Sequence, residues 1–106
     1  TPLLIAAQEG HAEMVGVLIG GGAAVNQART DIGTTPLYVA AGKGHTEVAS
    51  LLIKSGAEVN MAKTSCGSSP LYIAASRGYA EMARLLISSG AAVNQTTTND
   101  GTTPLY

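Results

Sequence analysis

The sequence predicts an all-α solenoid of short helix-turn-helix units, stacked side by side and joined by extended finger loops. Three observations predict it. Thr1-Pro2-Leu3 recurs as Thr35-Pro36-Leu37, Ser69-Pro70-Leu71 and Thr103-Pro104-Leu105, always 34 residues on. The text between recurs in the same register: Ala6-Ala7, Ala40-Ala41 and Ala74-Ala75 align, as do Gly10, Gly44 and Gly78. The chain is also 45% hydrophobic but only 12% charged, with 13 Gly and neither Phe nor Trp. Ordinary chains carry about 25% charged residues, so this one must build its core from thin, closely approaching aliphatic elements. The 106 residues divide into units 1–34, 35–68 and 69–102, with 103–106 opening a fourth.

The second unit shows why each element forms. Thr35 is placed to cap a helix, its hydroxyl accepting a free backbone N–H, and Pro36 sits at the first helical position, where its missing donor costs nothing. Leu37 to about Lys43 completes a helix of barely two turns, which Gly44 ends by taking a left-handed conformation. A second helix is expected from about Thr46 to Lys54, with Val48, Leu51 and Leu52 at i, i+3, i+4 spacing on one face, until Gly56 stops it. Residues 57–67 are polar and without period, and read as a finger turning near Ser65-Cys66-Gly67. In the first unit Gly20-Gly21-Gly22 is expected to fray the second helix. Isolated helices shorter than about 12–15 residues are marginal in water. These must therefore stack, and the Ala pairs let them lie close together in a quasi-one-dimensional array.

Several function classes fall away. A net charge of −1 with six basic residues supplies no patch that neutralises phosphates, which argues against nucleic-acid binding. No apolar run approaches the roughly 20 residues of a membrane span. Cys66 is the one cysteine, which forbids a disulfide framework and a cysteine zinc cluster. With no leader-like opening segment, the chain reads as an intracellular, cytoplasmic protein. His11 and His45 share a column one unit apart, which suits corner packing better than convergent metal ligation. Glu13, Glu47 and Glu81 share another at the start of each second helix, where they favour the helix dipole but cannot pair as acid and base. Neither an enzyme, a cofactor nor a metal is expected.

The run Thr35-Pro36-Leu37-Tyr38-Val39-Ala40-Ala41, followed by Gly44-His45, Leu51-Leu52 and Gly56-Ala57-Glu58-Val59-Asn60, resembles the ankyrin repeat family, whose unit opens T-P-L-H-x-A before two antiparallel helices. The resemblance covers the whole chain. Two departures stand out. The period is 34 rather than 33, with the extra residue falling between Asn60 and Gly67. The family's hydrogen-bonding histidine is replaced by Tyr38, Tyr72 and, in the first unit, Leu4. A tyrosine can pack its ring and still donate a hydrogen bond; Leu4 cannot, so the first unit should be the least tightly pinned. The resemblance further implies a structural role for Asn60 and its column mates, with Asn60 a candidate for asparaginyl hydroxylation.

In such arrays the finger tips and first-helix faces line a concave groove that meets partner proteins. The variable positions there are Gln8, Glu9, Gly42, Lys43, Ser76 and Arg77 on the first helices. In the fingers they are Asp31, Ile32 and Thr34, then Ser65, Cys66 and Ser68, then Asn99 and Asp100. All are expected to be exposed and to contact a protein partner of unknown identity. The alternative is a purely structural repeat segment, natural or engineered, with no dedicated partner. No polar capping unit is visible at either end, although terminal repeats normally carry one. A monomer is expected that can stack end to end and gains stability with added units.

Overall fold

The structure, a computed structural model, describes residues 1–25, 34–59 and 68–90. The first unit contributes α1 (Pro2–Glu9) and α2 (Ala12–Gly20), the second α3 (Pro36–Lys43) and α4 (Thr46–Lys54), the third α5 (Pro70–Ser76) and α6 (Ala80–Ser88). No strand occurs among the described residues. Most of each finger, including the extra residue of the period, lies outside them.

Each first helix starts on a hydroxyl cap. Thr1 accepts from the Leu4 N–H at 3.2 Å, Thr35 from Tyr38 at 3.2 Å and Ser69 from Tyr72 at 3.1 Å. Proline follows the cap in every unit. Gly44 closes α3 at φ 74°, with its own N–H donating to Ala41 O at 3.3 Å and the His45 N–H to Ala40 O at 3.0 Å. These two bonds satisfy carbonyls that the helix end would otherwise orphan.

The second helices start differently, with no side-chain cap. His45 sits at φ −83°, ψ 80°, and the Thr46 N–H donates back to Gly44 O at 3.0 Å. His11 and Tyr79 adopt nearly the same angles. This is an inverse γ-turn, so the backbone itself turns the chain from one helix into the next. The acidic residues expected in the first turns of α2, α4 and α6 are Glu13, Glu47 and Glu81. The triple glycine does not shorten α2. It runs to Gly20, and its end is closed by the Gly21 N–H on Val17 O and the Ala23 N–H on Leu18 O, both at 3.0 Å.

The helices pack in two rows, α1 against α3 against α5 and α2 against α4 against α6, with each unit's pair also in contact. Ala6, Ala7, Ala40, Ala41 and Ala74 are buried between first helices, beside Leu3, Leu37 and Leu71. The second row supplies Val15, Val48, Met82, Leu52 and Leu86. In α4 the buried set is Val48, Ala49 and Leu52, whereas Leu51 is half-buried; the stripe is rotated towards Ala49 because a small residue is what the neighbouring helix can approach. Burying a Leu side chain contributes about 1.5–3 kcal/mol, against about 1 kcal/mol for a cap. Stacking therefore sets stability, and the caps set where helices begin.

Candidate functional site

The first-helix row carries the variable positions on its C-terminal turns. Gln8, Glu9, Lys43, Ser76 and Arg77 are exposed, as expected. Gly42 is not: it is buried, because α5 crosses so close that a Cβ there would stand 3.3 Å from Ile73 Cγ1. Its carbonyl accepts a hydrogen bond from Arg77 Nη1 at 2.6 Å. Gly42 is thus a contact point between units that orients Arg77.

A cleft of about 220 Å³ runs along this row. Its apolar lining includes Leu4, Val39 and Ile73, its polar lining the exposed Gln8, Lys43 and Arg77, and Thr34 and Tyr38 complete one side. Small-molecule pockets are typically about 300–1,000 Å³, so this cleft suits a single side chain better than a cofactor. Both side chains are exposed, and neither forms an ion pair among the described residues.

Thr34 and Ser68 were expected at the surface and are instead 7% and 3% exposed. Each is the last residue of its unit and lies one residue before the cap of the next first helix. Ser68 Oγ accepts a hydrogen bond from Tyr38 Oη at 3.2 Å, so Tyr38 pins the last residue of its unit, directly before the cap of the next first helix. In the first unit the same place is held by Leu4, which is buried but has no hydroxyl, and Thr34 Oγ1 is left buried without a partner. A signal for this existed in the sequence: a hydroxyl residue stands before the caps Thr35 and Ser69, with a tyrosine 30 positions before Ser68.

The histidine column packs corners. His45 Nε2 lies 3.1 Å from Gln8 O; a carbonyl only accepts, so Nε2 carries the proton. The His45 ring covers Gly10, where a Cβ would come within 2.7 Å of it, and the Tyr79 ring lies over Gly44 less closely, 3.4 Å from where a Cβ would stand. His11 is exposed. Asp31, Ile32, Ser65, Cys66, Asn99, Asp100 and Asn60 lie outside the described residues.

Two rows of short helices, locked unit to unit at the same columns, define a repeat scaffold. The chain belongs to the ankyrin repeat family: a family model of three ankyrin repeats matches residues 1–63 and again residues 61–106. Ankyrin repeats are generally protein-interaction modules on a non-enzymatic fold. No curated protein matches the chain. No described helix is long and apolar enough to cross a membrane.

Proposed function

We propose that the chain is a protein-interaction scaffold, without catalytic activity, that binds its partner through the face formed by the first-helix row and the finger tips. One observation carries this: Lys43 and Arg77, exposed and without an ion-pair partner among the described residues, both line a largely apolar cleft on the first-helix row. Gln8, Glu9 and Ser76 extend the same face. Partner capture with the wild-type chain and with a Lys43→Glu, Arg77→Glu double variant tests it. Loss of the captured partner on charge reversal is expected. A partner that stays bound moves the contact to another face, and capture of no partner favours a purely structural segment.

The end face of the first unit supports a second kind of contact. Ile5, Met14 and Val17 are exposed in that unit, and they suit contact with a further unit or with another copy of the chain.

A further inference from the structure

We propose that the first-helix cleft receives an aliphatic side chain from an acidic peptide segment, whose neighbouring carboxylate is held by Arg77 and Lys43. This rests on the first-helix row being the binding face, and it names the chemistry of the partner.

The cleft traces to one residue. Leu4 stands where the next two units have Tyr38 and Tyr72, and Tyr38 spans to Ser68. With leucine at that position no phenol spans to Thr34, and an apolar notch lined by Leu4, Val39 and Ile73 stays open. At about 220 Å³ it has room for a side chain, and its lining selects an apolar one.

Charge then selects what flanks that side chain. Of the cations on the described helices, Lys54 and Arg84 lie on the second row, while Lys43 and Arg77 both line the cleft. The nearest acid in their column is Glu9, one unit earlier. The row therefore reads negative, positive, positive along the stack, and a carboxylate fits at the second and third units. Arg77 is already oriented for it: Nη1 is held on Gly42 O at 2.6 Å, leaving other donors of a planar fork that matches a carboxylate. A guanidinium positioned before the partner arrives loses less freedom on binding. Two cations are too few to follow a polyphosphate backbone, which favours a peptide.

Peptides selected from a displayed random library on the full immobilised chain, then synthesised and measured by fluorescence anisotropy, test this. Asp or Glu beside Leu, Ile or Val should dominate the selection. Binding should weaken by at least about tenfold on Lys43→Glu, Arg77→Glu, since like-charge contacts repel. Leu4→Tyr should weaken it similarly by closing the notch, while raising the unfolding midpoint through a new bond to Thr34, so that misfolding cannot explain the loss. A selection dominated by basic or uncharged peptides overturns the acidic partner. Acidic peptides that bind all these variants as tightly as wild type overturn the cleft. If those peptides are then lost on Glu9→Trp or Ser76→Trp, the binding face itself stands; if they are not, it falls as well.

Discussion

Thr34 and Ser68 occupy equivalent positions, and what separates them is the residue 30 positions earlier: Tyr38 bonds Ser68, whereas Leu4 leaves the Thr34 hydroxyl buried and unpartnered. A buried unsatisfied polar group costs about 1–3 kcal/mol, while a formed hydrogen bond contributes about 1 kcal/mol net. The two sites should therefore answer deletion with opposite signs. Thr34→Val, which removes the orphan hydroxyl at nearly constant volume, should stabilise the chain by about 1 kcal/mol. Tyr38→Phe should destabilise it by about the same amount. Urea unfolding midpoints check both, and a destabilising Thr34→Val would mean that the hydroxyl is satisfied in solution. Surface exposure was misread at these positions because Thr and Ser differ in name while doing the same job. A column that alternates between two hydroxyl residues is constrained chemically, not free.

The helices of the second unit were legible almost to the residue: α3 from local signals, a hydroxyl, a proline and a glycine at the end, and α4 from its apolar spacing. The turn that leads into each second helix was not legible, although the start of α4 at Thr46 was, since an inverse γ-turn needs no particular side chain and leaves no mark in the sequence. Glycine at the end of α1 does two jobs that sequence cannot separate. Gly10 has φ 75° and also lies under the His45 ring, whereas Gly56 has φ 100° with open space around it. A left-handed non-glycine residue costs roughly 1–2 kcal/mol. Gly56→Ala should cost that much and no more. Gly10→Ala should cost clearly more, because the ring must also move and break its bond to Gln8 O. Unfolding measurements on Gly10→Ala, His45→Ala and the double variant separate the two contributions. The excess should vanish once the ring is removed; an excess that survives His45→Ala would place the strain in α1 itself.

Across the whole molecule the period predicted the stack, because identical columns must meet identical neighbours at every step. The cleft was less legible: its walls come from three successive units, and only folding shows that Leu4, Val39 and Ile73 converge. The same column logic marks a stacking surface on the first unit, one that a further unit or another copy of the chain can cover. Val48 and Met82 are each 1% exposed, yet Met14, their mate in the first unit, is 48% exposed, beside Ile5 at 62% and Val17 at 63%. Among the described residues, a side chain that two units bury is left open by the first, and in a chain of these 106 residues only another copy can cover it. Contact between such an end and the far end of another copy is heterologous and does not close on itself, so association should grow steadily with concentration instead of stopping at a dimer. Sedimentation velocity over a concentration series should show a rising sedimentation coefficient for the wild-type chain and a flat one for Met14→Glu, Val17→Glu. Both positions are exposed, so the variant should keep the wild-type unfolding midpoint at low concentration. A wild-type coefficient independent of concentration would leave the end face without a partner in another copy.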